Sequence, residues 1–176
     1  MMVTIDIDII MTIHDELVAR AQIYAAANQL ELREQLGRGG HGIVFVAQSH
    51  VNRGRSAVKI HEGEKAFLRE RDVYLRLQEH KVTKVGVCHV PQLLGWDDKL
   101  WTINMTVVKR PFVLDFGGAH LDQPPEFSEE VLADWRAEKQ EQFGRHWAEV
   151  QVILRTLEGY GVFMIDVNPG NAAFAD

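Results

Sequence analysis

Several features that define protein classes are scarce or absent in this sequence of 176 residues. Cys88 is its single cysteine, so no internal disulfide can form, and we expect a cytoplasmic protein. No apolar run is long enough to span a bilayer, and the first residues lack the basic start and cleavage site of a secretory signal. The histidines are scattered, and none lies at metal-ligand spacing from a cysteine or another histidine.

Basic residues are also not in excess, because the chain has 19 Lys and Arg and 25 Asp and Glu, which gives a formal net charge of -6. This balance argues against nucleic acid and against an anionic membrane as main partners. The hydrophobic share of 46% and the charged share of 25% are ordinary for a globular chain. Such a chain forms one domain or two small lobes.

The first 30 residues predict a strand followed by a helix. Residues 3–9 alternate between apolar and polar side chains, as a strand does. A second methionine at position 11 leaves the start open between Met1 and Met11. A helix is predicted from Thr12 or His14 to about Asn28. Its apolar face would consist of Ile13, Leu17, Ala21 and Tyr24.

A glycine-rich segment is the most informative part of the chain. Residues 36–47 read LGRGGHGIVFVA, which places Gly37, Gly39 and Gly42 in the spacing G-x-G-x-x-G and Val44 two positions later. Glycines allow backbone N–H groups to approach phosphate oxygens closely. Dinucleotide-binding turns share this spacing but lead from a strand into a helix. Here residues 30–36 and 43–48 both have strand character, so the sequence predicts a hairpin that covers phosphates.

Two charged residues lie among apolar neighbours downstream of the glycines. Residues 56–60 predict a third strand that carries Lys59, which is either solvated or paired with nucleotide phosphates; its position after the glycine motif favours phosphates. Residues 62–79 predict a helix with Glu70 on its apolar face. Glu70 is either a solvated carboxylate or the group that holds Lys59. Glu62 and Glu64 remain alternatives for the second role.

The rest of the chain predicts two more strands and two helices. Strands over 86–94 and 99–108, joined by a turn at 95–98, would complete a five-stranded antiparallel sheet, and 110–114 would begin a connector. Ser128 can cap one helix, and a second ends near Gly159. The first helix carries Val131, Leu132 and Trp135, and the second carries Trp147, Val150, Leu154 and Leu157 at spacings of three and four. We interpret the aromatic stripe of these helices as core rather than as a ligand site.

An apolar strand over 162–165 then leads into the segment Asp166-Val167-Asn168-Pro169-Gly170-Asn171. A carboxylate followed five residues later by an amide can orient an acceptor hydroxyl and bind a metal ion on the phosphates. The alternative is a turn held by side-chain caps.

In this order, the motifs from about Leu30 to Asp176 resemble those of protein kinases, in particular short uncharacterised bacterial kinase-like sequences with a truncated C-lobe. The resemblance implies an α+β fold: a five-stranded antiparallel N-lobe sheet with one main helix, and a minimal helical C-lobe. It implies ATP and Mg²⁺ in the cleft between the lobes. The expected division is an N-terminal strand and helix extension over 1–29, an N-lobe over 30–110, and a C-lobe over 111–176 that ends just after the catalytic loop.

The resemblance also implies roles for individual residues. Gly37, Gly39, Gly42 and Val44 would cover the nucleotide phosphates. Lys59 would contact the phosphates, and Glu70 would position Lys59. Asp166 would be the catalytic aspartate, and Asn171 would bind the metal ion.

Three departures from the kinase pattern limit these expectations. Met164 and Ile165 replace the histidine and arginine before the aspartate, and Asn168 replaces the loop lysine. No D-F-G triplet follows Asn171. The triplet over 115–117 precedes the catalytic loop, so its position predicts a linker between lobes rather than a metal site.

Two hypotheses follow: a minimal ATP-dependent phosphotransferase, or a pseudokinase-type binding or scaffold module without phosphoryl transfer. Because a bare C-lobe edge would expose apolar surface, we also expect a homodimer or a protein partner.

Overall fold

The computed structural model describes residues 7–175, with side chains described from residue 12 onward. The described chain forms two compact units. The first contains the residues up to Phe67 together with Leu93–Val107, and the second contains Leu68–Gln92 together with the residues from Val108. The domain boundaries expected at residues 30 and 111 stay predictions.

The elements are numbered in chain order. The helices are α1 (Ile7–Ala27), α2 (Glu64–Glu79), α3 (Glu129–Phe143) and α4 (Trp147–Glu158), with a short 3-10 turn over Gly144–His146. The strands are β1 (Leu30–Gly39), β2 (Gly42–Ser49), β3 (Arg55–His61), β4 (Lys84–Val85), β5 (Cys88–His89), β6 (Leu93–Asp97), β7 (Thr102–Thr106), β8 (Phe112–Val113), β9 (His120–Leu121), β10 (Val162–Phe163) and β11 (Ala172–Ala173).

The first unit contains a five-stranded sheet with the order β1-β2-β3-β7-β6, in which every neighbouring pair is antiparallel. Its central strands β2 and β3 are rich in β-branched and apolar residues, and most of their residues are buried. The predicted α+β class, with a five-stranded antiparallel sheet and few helices, is confirmed.

Helix α1 packs on this sheet through the apolar face that its sequence predicts. Leu17, Ala21 and Tyr24 are buried in one cluster with side chains of β2 and β3. The prediction is wrong for Ile13, which is 37% exposed. The helix also starts earlier than expected, at Ile7, so residues 7–9 of the predicted first strand are helical. Residues 3–6 of that strand lie outside the described part of the chain.

Arg20 fixes α1 to the sheet at the end of β3. Its guanidinium donates hydrogen bonds to the carbonyl oxygens of His61 at 2.8 Å and Leu100 at 3.2 Å. It also lies over the Trp101 ring, 5.2 Å from the ring centroid. Burial lowers the pKa of Arg20 from its ordinary value. These contacts fix the end of the strand that carries Lys59.

The predicted strand over 86–94 is wrong in most of its length. It enters the five-stranded sheet only from Leu93, while β5 belongs to a four-stranded sheet of the second unit with the order β11-β8-β5-β4. The turn predicted at 95–98 lies later, because residues 95–97 are part of β6. The Asp97 carboxylate caps this turn by accepting hydrogen bonds from the backbone N–H groups of Lys99 and Leu100.

The second unit contains both predicted C-terminal helices. Ser128 caps α3 by accepting a hydrogen bond from the N–H of Val131 at 3.3 Å, as predicted. Helix α4 buries Val150, Leu154 and Leu157, also as predicted, and ends at Gly159. None of the helices in residues 7–175 is both long and apolar enough to cross a bilayer.

Candidate functional site

The glycine motif lies in the hairpin formed by β1 and β2. Strand pairing continues to the facing pair Gly39 and Gly42, so the turn consists of Gly40 and His41 alone. The predicted strand–turn–strand arrangement is therefore present. The first strand does not end at Leu36 but runs through Gly37 to Gly39, with irregular register near Gln35. Most of β1 is exposed, so Gly37 and Gly39 lie on an accessible strand, whereas Gly42 on β2 is buried.

The glycines differ in what the backbone requires of them. Gly42 has a φ of +148°, and a Cβ there would overlap the carbonyl oxygen of Ile60. Only glycine fits this position. At Gly37, Gly39 and Gly40 a Cβ would meet no described atom within 4 Å. The fold itself thus accounts for Gly42 and leaves Gly37 and Gly39 open to a role in ligand binding.

Lys59 lies on β3, facing Val44 on β2 and Ile103 on β7. The residue is only 5% exposed, so the interpretation as a solvated lysine is wrong. Removing an ammonium group from water is costly unless polar or charged groups compensate it. A packing role would be served better by an apolar residue, so this burial marks Lys59 as a functional candidate.

Glu70 is fully buried in the second unit, so the interpretation as a solvated carboxylate is wrong for it too. Its helical face is apolar as predicted, because Tyr74 and Leu77 are also buried. Burial raises the pKa of Tyr74 well above its ordinary value, and the negative charges of Glu70 and Asp115 raise it further. The Tyr74 ring packs edge-on against Phe116, with centroids 5.4 Å apart.

The loop from Asp166 to Asn171 is held by its own side chains. The Asn171 amide donates to the carbonyl oxygen of Asp166 at 3.1 Å and accepts from the N–H of Asn168 at 2.8 Å. Asn168 in turn accepts from the N–H of Gly170 at 2.9 Å. The turn with side-chain caps, weighed as the alternative, is therefore real. An amide oxygen has two lone pairs, so Asn171 retains one for a metal ion.

The Asp115-Phe116-Gly117 triplet lies beside this loop. Strand β8, which ends one residue before the triplet, pairs with β11, which follows the loop directly. The N–H of Leu114 donates to the carbonyl oxygen of Asn171 at 2.9 Å. A Cβ at Gly118 would overlap the Asp166 carboxylate. The prediction of a connector over 110–114 is wrong, because the segment contains β8. Its position beside the loop makes Asp115 a candidate metal ligand, although its place in the sequence order argued against that role.

The oxygen donors near the loop suit a hard cation. Carboxylates and amide carbonyls are the ligands that Mg²⁺ prefers, and Asp115, Asp166 and Asn171 supply both kinds. In the described part of the chain, no group of three or more His, Cys, Asp and Glu is placed to hold a metal ion by itself. A metal ion here would therefore need Asn171, or oxygens of a bound phosphate, to complete its shell.

Comparison with known proteins finds similar solved structures but no matching family model. No protein-family model matches the chain, and no curated protein matches its sequence. Two solved structures of the PknI kinase domain from Mycobacterium tuberculosis are similar to it, with TM-scores of 0.38 and 0.36 and 22% identity in both cases. The alignments cover 81% of this chain and 54% and 53% of those domains, so the chain spans about half their length. Similarity at this level assigns no residue roles.

Proposed function

We propose that this chain is a nucleotide-binding protein of the protein-kinase-like type, which binds ATP with Mg²⁺ and transfers its terminal phosphoryl group. The observation that carries the proposal is the burial of Lys59 on β3, the strand paired with the β2 arm of the glycine hairpin. A lysine on the third strand, after a glycine hairpin, is the arrangement that contacts phosphates in protein kinases.

The first unit supplies the phosphate-binding groups in this proposal. Backbone N–H groups around Gly37 and Gly39 would cover the phosphate oxygens, because no side chain obstructs them. The Lys59 ammonium would neutralise part of the phosphate charge. Its strand is fixed on both sides by β2 and β7, so little motion is needed to place the charge.

The second unit supplies the groups that act on the acceptor and the metal ion. Asp166 would orient an acceptor hydroxyl and take its proton. Asn171 and Asp115 would hold Mg²⁺, which supplies positive charge to the phosphate oxygens when bound. Glu70 stays a proposed partner of Lys59.

Displacement of a fluorescent ATP analogue tests nucleotide binding at Lys59. We expect Lys59→Met to weaken binding about tenfold or more, because a charge-assisted contact to phosphate is lost. The matched control is Lys65→Met, an exposed lysine on α2. Equal affinities for the three proteins, each shown to be folded by circular dichroism, would contradict the assignment of Lys59.

Transfer of labelled terminal phosphate from ATP tests the chemical step separately. We expect Asp166→Asn to retain nucleotide affinity and to lose transfer by about a hundredfold or more, since the amide cannot accept the hydroxyl proton. Asp134→Asn on the exposed surface of α3 is the control and should leave transfer unchanged. If the unaltered chain binds ATP but transfers no phosphate to itself, to water or to added acceptors, the phosphotransferase part of the proposal fails and the binding part stands.

A further inference from the structure

The second unit contains a cavity of about 830 Å³ that none of the sequence motifs indicates. It lies between α3, α4 and the segment from Pro124 to Phe127. Its walls are mostly apolar, formed by residues such as Phe127, Leu132, Leu154 and Phe163. Small-molecule sites in proteins typically have about 300–1,000 Å³ and apolar walls with a few polar groups. The cavity has the size and lining of a ligand site.

Two tryptophans give one side of the cavity an aromatic surface. The rings of Trp135 and Trp147 meet edge to face, with centroids 6.2 Å apart and an angle of 67° between planes. Both are only half-buried and line the cavity, so the interpretation of this aromatic stripe as core is wrong for these two residues. Such a surface suits a flat apolar or aromatic body.

The charge at the cavity favours an anion. Arg136 on α3 and Arg155 on α4 both line it, and among the described side chains of residues 12–175 neither guanidinium has an ion-pair partner. Of the described residues that line the cavity, Glu158 is the one carboxylate. The described lining residues thus carry two guanidinium groups and one carboxylate, although the chain as a whole has a net charge of -6. Guanidinium groups bind carboxylates and phosphates through paired hydrogen bonds.

The cavity adjoins the Asp166 loop without containing the Asp166 carboxylate. Met164 and Ile165, directly before Asp166, line it, and the Trp135 indole N–H donates to the carbonyl oxygen of Ile165 at 2.9 Å. The Asp166 carboxylate itself lies against Gly118. A ligand here would therefore contact the segment that positions Asp166 but would not present its own groups to that carboxylate.

We propose that this cavity binds a small organic anion, with a flat apolar or aromatic body against Trp135 and Trp147 and one carboxylate or phosphate on Arg136 and Arg155. The residues that line the cavity do not include Lys59, Asp166 or Asn171. Its binding needs neither ATP nor Mg²⁺, so a failure of the proposed function would leave it standing, and its own failure would leave the proposed function standing.

The test uses three probes with one ring system: naphthoate, naphthyl phosphate and the neutral naphthamide. They are titrated into ¹⁵N-labelled protein while the four tryptophan indole N–H signals are followed by NMR. We expect a charged probe to shift the signals of Trp135 and Trp147 in a saturable way. Trp96 and Trp101 belong to the first unit and serve as internal controls that should not move. The two charged probes distinguish a carboxylate site from a phosphate site.

The double variant Arg136→Gln with Arg155→Gln should weaken the preferred charged probe about tenfold or more and change naphthamide binding little. Lys84→Gln with Lys109→Gln, two exposed lysines of the same unit, removes the same charge elsewhere and should leave binding unchanged. Three results would overturn the proposal: no saturable shift, equal binding of naphthamide and the charged probes, or shifts of Trp135 and Trp147 on protein dilution alone. The last would show that a second copy of the chain covers the cavity.

Discussion

At the residue scale, the glycines of the hairpin differ in whether the backbone requires them. Gly42 is set by the backbone, because its φ of +148° and the carbonyl oxygen of Ile60 exclude a side chain. Gly37 and Gly39 have no such constraint within the described structure. The same motif therefore contains one glycine that the backbone requires and two that the described fold does not require.

Replacement of Gly42 should destabilise the chain. We expect Gly42→Ala to lower the free energy of unfolding by about 2 kcal/mol or more, since strain at this φ adds to the overlap with Ile60. Gly40→Ala, where a Cβ meets no described atom within 4 Å, should be close to neutral. Urea denaturation followed by circular dichroism measures both. Equal stability of the two variants would contradict the backbone argument.

Replacement of Gly39 should leave the stability of the chain unchanged and weaken nucleotide binding. Gly39→Ala meets no steric obstacle within the described structure, so we expect its denaturation midpoint to stay near that of the parent. If N–H groups of the hairpin cover phosphates, however, the added methyl group should weaken binding of an ATP analogue several-fold. Unchanged nucleotide affinity in a folded Gly39→Ala variant would argue against the hairpin as a phosphate cover.

At the element scale, an ion pair in the second unit links α2 to the chain that follows β9. Arg76 donates to both carboxylate oxygens of Asp122, at 2.8 and 3.1 Å, and also to the carbonyl oxygen of Tyr160 at 3.0 Å. The hydrogen bonds from Arg76 lower the pKa of Asp122. A carboxylate whose pKa is lowered by folding stabilises the folded state above its unfolded pKa and loses that effect as pH falls through its folded pKa.

The Asp122→Asn variant tests this link through its pH dependence. Asparagine tolerates the positive φ of 64° at this position, so the change removes charge without new backbone strain. We expect a small decrease in Tm at neutral pH, because the pair is exposed, and no difference in strong acid, where Asp122 is protonated. Asp15→Asn, at an exposed position of α1, is the control. A Tm difference that persists unchanged into strong acid would show that the ion pair is not its cause.

At the scale of the whole molecule, the helices and the hairpin follow from local patterns, while the neighbours of the Asp166 loop do not. The face of Phe67, Glu70, Tyr74 and Leu77 is visible because its spacing repeats every three or four residues. The pairing of β8 with β11 joins two-residue strands far apart in the chain, and segments this short carry no periodic signal. For that reason, the sequence did not indicate that Asp115 lies beside the Asp166 loop. It also did not indicate the cavity beside Trp135.

The single cysteine reports opening of the second unit. Cys88 is fully buried, and burial, with a smaller effect of the Glu149 charge, raises its thiol pKa to about 11. Because the thiolate is the reactive form, we expect very slow labelling by a thiol reagent near neutral pH and rapid labelling once denaturant unfolds the unit. Fast labelling of the native protein would contradict this burial.

Calorimetric titration with ATP, in the presence and absence of Mg²⁺, tests the central claim most directly. The unaltered protein is compared with the Lys59→Met and Asp115→Asn variants. Our account predicts saturable binding that Mg²⁺ strengthens, general weakening in Lys59→Met, and loss of the Mg²⁺ effect alone in Asp115→Asn. Absence of binding at millimolar ATP by the folded chain would contradict the account.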